Sequence, residues 1–158
     1  MSRKVLSLDE LADKAKEFRA SGRKLVATNG CFDLLHVGHV RYLQKARQLG
    51  DALVVGVNGD ASVRALKGEA RPINREADRA EVLAGLECVD FVAVFPEVRA
   101  TEFLKHAQPS VYVKGGDYKP ETLDAEERAA LEEMGTQIEI IPFEKGYSTS
   151  GVIERMNA

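Results

Sequence analysis

Lys24-Leu25-Val26-Ala27-Thr28-Asn29-Gly30-Cys31-Phe32-Asp33-Leu34-Leu35-His36-Val37-Gly38-His39 is the stretch that decides the fold. Its first five residues form a short apolar run of strand length, closed by the turn-forming pair Asn29-Gly30. From Val37 the apolar residues recur at helical spacing over 37–49, and Gly50 stops the run. The next strand follows at once in Ala52-Leu53-Val54-Val55-Gly56-Val57. It is apolar without alternation, the pattern of a strand buried on both faces.

Outward from this unit the pattern repeats. Asp60 can cap a short helix over 60–66, and a polar loop covers 67–74. Helices are predicted over 76–86, 98–106, 123–134 and 148–156, and strands over 90–95, 110–114 and 137–141. Upstream, Ser7-Leu8-Asp9-Glu10 is a capping box that opens a helix to about Ala20, with Ser21-Gly22 as its stop. Strands alternating with helices through 158 residues predict a single α/β domain. Its core is expected to be a Rossmann-like, open, parallel five-stranded sheet with helices on both faces, residues 1–22 forming an N-terminal capping helix. Ligands in such sheets sit beyond the carboxyl ends of the strands, so the loops after Thr28, Val57, Lys114 and Ile141 are where chemistry is expected.

Composition narrows the function classes. Hydrophobic residues make up 44% and charged residues 30%, enough apolar material for a layered core without metal or disulfide staples. Lys and Arg number 22 against 25 Asp and Glu, a formal charge of −3, which argues against a nucleic-acid partner. The two cysteines, Cys31 and Cys88, lie far apart with no metal-ligand spacing, and no metal site is expected. The N-terminus lacks the apolar core of a signal peptide, and no run reaches membrane-spanning length. A cytoplasmic protein with no membrane partner is the expectation.

The turn after the first strand carries the strongest chemical signal. Asn29-Gly30 allows tight backbone geometry and close approach of a ligand. His36 and His39 flank Gly38 where a helix begins, and a helix start offers unpaired N–H groups and a positive dipole end. Three residues apart, both imidazoles can face one anion as donors. Passive capping and metal binding are the competing readings. A position directly after a buried strand favours phosphate. Asp33 can equally be a turn-forming residue, and Lys67, Arg71 and Arg79 a solvated surface.

Gly30-Cys31-Phe32-Asp33 with His36-Val37-Gly38-His39 resembles the cytidylyltransferase-like family of nucleotidyltransferases. The likeness runs from about Lys24 to the C-terminus through five further blocks. They are Asn58-Gly59-Asp60-Ala61-Ser62; Leu66-Lys67-Gly68 with Arg71-Pro72; Asp78-Arg79; Val113-Lys114-Gly115-Gly116-Asp117-Tyr118; and Gly146-Tyr147-Ser148-Thr149-Ser150. Within the family it is most similar to the adenylyltransferases that form ADP-heptose from heptose 1-phosphate. Glycerol-phosphate cytidylyltransferases carry Arg-Thr-Glu-Gly-Ile-Ser near the last helix; here the stretch is Phe143-Glu144-Lys145-Gly146-Tyr147-Ser148, without the Arg.

The resemblance implies transfer of AMP from ATP to a phosphorylated sugar, with Mg²⁺ arriving on the triphosphate. It makes His36, His39, Lys67 and Arg79 catalytic. Asn29, Gly30, Cys31, Phe32, Asp33, Gly38, Lys114, Gly115, Asp117, Tyr147, Ser148, Thr149 and Ser150 would hold the nucleotide. Asn58, Asp60, Lys67, Arg71 and Arg79 would hold the acceptor. No covalent intermediate is needed, because the acceptor phosphate is itself the nucleophile. The 158 residues contain no sugar-kinase half, so a separate protein is expected to supply the sugar phosphate. A homodimer is common in the family. A cytidylyltransferase acting on an alcohol phosphate such as glycerol 3-phosphate, and a non-catalytic nucleotide sensor, are the alternatives.

Overall fold

The computed structural model describes residues 2–116, 123–142 and 146–158. The expected nucleotide-site residue Asp117 lies outside them, as do Tyr118 and 143–145 of the stretch that lacks the family's Arg. In chain order the elements are β1 (Val5–Leu6), α1 (Leu8–Ala20), β2 (Leu25–Gly30), α2 (Val37–Arg47), β3 (Ala52–Asn58), α3 (Asp60–Lys67) and α4 (Glu76–Ala84). There follow β4 (Phe91–Phe95), α5 (Thr101–Ala107), β5 (Val111–Gly115), α6 (Ala125–Met134), β6 (Gln137–Ile141) and α7 (Thr149–Met156).

The strands form one parallel sheet in the order β1-β4-β3-β2-β5-β6. From β2 through β3 to β4 the chain steps outward in one direction, then crosses back to β5 and continues to β6. Crossovers between parallel strands are right-handed, so a reversal of direction moves the helices to the opposite face. The core divides accordingly. Tyr42, Leu43 and Ala46 of α2 pack with Ala80, Leu83 and Ala84 of α4 on Val26, Leu53, Val55 and Val57. On the other face Leu11, Ala15 and Phe18 of α1, Phe103 and Leu104 of α5 and Leu131 of α6 pack on Leu25, Ala27, Ala52 and Val54. Alternate residues of one strand feed the two cores, which is why 52–57 is apolar throughout.

Among the described residues the sheet has six strands where five were expected. The addition, β1, is two residues long, and two residues carry no periodicity. Its place is set by distant partners: Val5 and Leu6 pair with Val92 and Ala93, and Lys4 Nζ donates to the carbonyls of Leu86 (3.2 Å) and Val89 (2.8 Å). The helix expected from Val98 begins only at Thr101. There the Ala100 N–H donates to Glu127 Oε1 of α6 at 2.8 Å, a tertiary bond that leaves Val98 and Arg99 in the connection. The Ser7–Glu10 capping box forms with both of its hydrogen bonds.

Gly56 shows how close the helix–sheet packing is. A Cβ there would meet the Phe103 ring at 2.8 Å. Because Phe103 is fully buried, the ring has nowhere to move. Gly56→Ala is expected to destabilise the protein by about 1–3 kcal/mol, read as a lower urea midpoint with an unchanged slope.

Candidate active site

The reversal of strand order falls between β2 and β5, and the connections on either side of it leave for opposite faces. A crevice therefore opens over the carboxyl ends of these two strands. It is a cleft of ≈ 750 Å³, lined from β2 by Asn29, Gly30, Cys31, Phe32 and Asp33 and from β5 by Lys114 and Gly115. The start of α2 adds His36, Gly38 and His39. Helix α2 is held over the junction by a buried cluster in which the Thr28 and Tyr42 hydroxyls share a hydrogen bond at 2.7 Å and lie 2.9 and 3.2 Å from the Val113 carbonyl, which accepts from one of them. This cluster joins β2, α2 and β5, and so aims the helix start into the crevice.

The two imidazoles are fixed by the backbone of that helix start. Gly38 N–H donates to His36 Nδ1 at 3.1 Å, and His36 N–H to His39 Nδ1 at 3.3 Å. With Nδ1 an acceptor in both rings, the proton of each neutral imidazole resides on Nε2. The rings lie 3.9 Å apart between centroids. Burial first, and the neighbouring His36 second, pull His39 down to about 4; burial and then Arg155 lower His36. At neutral pH the pair is thus two uncharged N–H donors. Gly38 is needed for this packing: a Cβ would lie 2.9 Å from the His36 ring and 3.0 Å from Tyr147 Cβ. Phe32 lines the cleft in a left-handed conformation (φ 47°), its ring 5.6 Å from that of His39.

Two arginines expected at the phosphate are otherwise engaged. Arg71 lines the cleft, but its Nε donates to Asp33 Oδ2 at 2.6 Å. Asp33 also accepts from the N–H groups of Ile73 and Asn74. Burial alone would raise this carboxyl; the bonds from Asn74, Ile73 and Arg71 overcome it and hold the group below its ordinary value. Arg79 does not line the cleft: its side chain is 0% exposed and lies beneath the site. Its donors go to the carbonyls of Asn74 (2.9 Å), Cys31 (2.8 Å) and Asn58 (2.7 Å) and to Asp60 Oδ1 (2.8 Å). In this arrangement Arg79 does not reach the cleft.

Asp60 likewise faces away from the cleft, exchanging bonds with Glu76 and Arg79. Asn58 stays in the wall, its Nδ2 on Ser62 and the Val98 carbonyl. Lys67 lines the cleft and has no ion-pair partner among the described residues. Burial pushes the Cys31 thiol up, against the pull of Lys67, Arg79 and Arg71, so it stays protonated.

Tyr147, Ser148, Thr149 and Ser150 enter the cleft at the start of α7. Ser148 Oγ accepts from Gly151 N–H (2.9 Å), and Thr149 Oγ1 donates to the Leu34 carbonyl (2.9 Å), joining α7 to the loop before α2. The sheet order puts this helix, which follows β6, and Lys67, which follows β3, on opposite sides of the histidine pair. Val98, Arg99, Leu123, Asp124 and Glu127 close another wall. Sequence reasoning did not single these out. The helix expected from 123 begins at Ala125 with Asp124 as its cap, and nothing local announces the ion pair of Asp124 with Arg99 at 3.4 Å.

A cleft at the switch point of a parallel sheet, with two neutral imidazole donors at a helix start, has the form expected of a phosphate site. The family model for cytidylyltransferase-like proteins matches residues 27–155, and the chain belongs to that family, whose nucleotide substrate is a nucleoside triphosphate. Curated relatives include the bifunctional protein HldE of Geotalea uraniireducens, 52% identical over 97% of this chain and 31% of that protein. HldE of Wolinella succinogenes is 49% identical over the same shares. The chain thus spans about a third of these relatives' length. Among solved structures, the lipopolysaccharide core biosynthesis protein from Thermoplasma volcanium is 29% identical at a TM-score of 0.64, covering 80% of this chain and 100% of that one. Pantoate-beta-alanine ligase from Francisella tularensis shares the fold at a TM-score of 0.62 and 14% identity, covering 95% of this chain and 70% of that one.

The histidine pair has a measurable acid signature. An imidazole titrating near 4 when folded and about 6.5 when unfolded binds its proton more readily in the unfolded chain. Stability carried by the neutral ring is complete above the unfolded value and is lost as pH falls through the window from 6.5 to about 4. In urea titrations across this window, His39→Gln is expected to show a shallower loss of stability than wild type.

Proposed function

We propose that this chain is a single nucleotidyltransferase domain of the cytoplasm that transfers AMP from ATP to D-glycero-β-D-manno-heptose 1-phosphate, releasing pyrophosphate and forming ADP-heptose. The observation that carries nucleotidyl transfer is the placement of the neutral His36–His39 pair in one cleft between two sets of donors. One is the start of α7, with Ser150 and the first N–H groups; the other is Lys67. The choice of acceptor is supported by the ordered sequence blocks and by the likeness to a lipopolysaccharide core biosynthesis protein.

In this reading the β- and γ-phosphates rest on the start of α7 and the α-phosphate faces the imidazoles. An oxygen of the acceptor phosphate, held by Lys67, attacks the α-phosphorus. The bond to the bridging oxygen breaks on the far side, and its electron pair leaves with pyrophosphate. Negative charge builds on the equatorial oxygens during the exchange, and the two Nε2–H groups donate to them. Uncharged donors supply these bonds at neutral pH without a prior proton uptake. Among the described residues no three His, Cys, Asp or Glu side chains converge on a point that could hold a metal ion. Mg²⁺ would arrive with the triphosphate and supply charge neutralisation there.

Pyrophosphate release measured with ATP or CTP against heptose 1-phosphate and glycerol 3-phosphate tests the proposal. Turnover is expected for ATP with heptose 1-phosphate. Turnover only with CTP, or none with heptose 1-phosphate, would remove the substrate assignment, and ATP binding without turnover of any acceptor would make the chain a sensor. His36→Ala and His39→Ala are each expected to lower kcat by about 10²–10³-fold, with ATP affinity changed only a few-fold in equilibrium binding.

A further inference from the structure

From Arg64 to Asp78 the structure has no buried residue, yet this segment carries Lys67 and Arg71 to the cleft wall. With no apolar anchor, its position is set by polar contacts. Those contacts converge on Asp33, which accepts from Arg71 Nε and the Ile73 N–H, and on Arg79, and both are reached by Asn74. The Asn74 N–H donates to Asp33 Oδ1 at 2.9 Å, its Nδ2 to the Asp33 carbonyl at 3.0 Å, and its own carbonyl accepts from Arg79 Nε at 2.9 Å. The same Arg79 guanidinium holds the carbonyls of Cys31, just past β2, and Asn58, at the end of β3. Asp33 continues directly toward His36. One guanidinium and one carboxylate therefore tie together the loop bearing the histidine pair, the end of β3 and the loop that follows Lys67 and bears Arg71.

We propose that Asn74 and Arg79 are positioning residues: with Asp33 they clamp the 68–75 loop at a fixed distance from the histidine pair and so set acceptor binding. The inference rests on the proposed transferase function for its kinetic effect, but the clamp itself does not. A burial that merely stabilised the fold would affect both substrates alike. The clamp's bonds end on Arg71, Asn58 and the loop before the histidines, beside Lys67, and none of them is a bond of the α7 start or an N–H cap of the imidazoles. Arg79→Lys keeps the charge but cannot span three carbonyls. Asn74→Ala keeps every main-chain bond and loses only the side-chain link to the Asp33 carbonyl.

The test compares Asn74→Ala, Arg79→Lys and the double variant by amide hydrogen exchange, by equilibrium ATP binding, and by KM for heptose 1-phosphate. Exchange at the Ile73 and Asn74 amides is expected to rise about tenfold, with β2 and β3 amides still protected. ATP affinity should stay within about twofold while acceptor KM rises about tenfold. The double variant should be no worse than Arg79→Lys, because both substitutions release the same residue. Unchanged exchange at 73–74, or ATP affinity falling as far as acceptor KM rises, would overturn the clamp. If wild type does not use heptose 1-phosphate, the substrate assignment fails while the exchange result still decides the clamp. Should Arg79→Lys fail to fold, Asn74→Ala decides by the same readouts.

Discussion

A parallel sheet must bury both of its faces, and right-handed crossovers allow that only if the chain reverses its direction along the sheet. In this protein the reversal separates β2 from β5. Everything functional hangs on it. The two connections diverge to opposite faces, and a crevice forms that the His36 and His39 rings at the start of α2 line. The Thr28–Tyr42–Val113 cluster secures this arrangement in the dry interior. There a hydroxyl without a partner would cost about 1–3 kcal/mol. Burial holds the Tyr42 phenol up at about 12, so it acts only as a neutral hydrogen-bonding group.

Charge is arranged around the crevice with little left uncompensated. Asp33 is matched by Arg71 and Asp60 by Arg79, and the carboxylates gain further N–H donors. Such pairs add little net stability when buried, but removing one partner leaves a costly charge behind. Their effect is geometric: they fix the 68–75 loop where no apolar residue does. Lys67, the neutral histidine pair and the start of α7 face the cleft. The site can therefore present donors to a highly charged triphosphate without first crowding like charges against one another.

Much of this was legible in one dimension. Apolar runs of strand length and helices with caps gave the α/β class, because each depends on residues within a few positions. The addition of β1 was not legible, since two residues have no period and their pairing lies with Val92 and Ala93. Nor was the late start of α5, decided by Glu127 across 27 residues. At the site, His36 and His39 stood out because a helix start after a buried strand is a local pattern. Arg79 shows the limit of such patterns: its type and block marked it as important, but a basic residue reads the same on a phosphate or beneath the floor.

By itself, then, the sequence determined which residues could make a phosphate site and the sheet that would hold them, because periodicity, capping and turn chemistry act over short distances. The tertiary structure alone decided which charges remain for a ligand. That choice is made by burial and by partners far away in the chain: Asp33 takes Arg71 at 2.6 Å, and three carbonyls and Asp60 take Arg79. It also decided the protonation of the histidines. Their spacing allowed two cations, two metal ligands or two neutral donors. The backbone N–H groups on Nδ1, together with burial, select neutral donors with Nε2–H free for the anion.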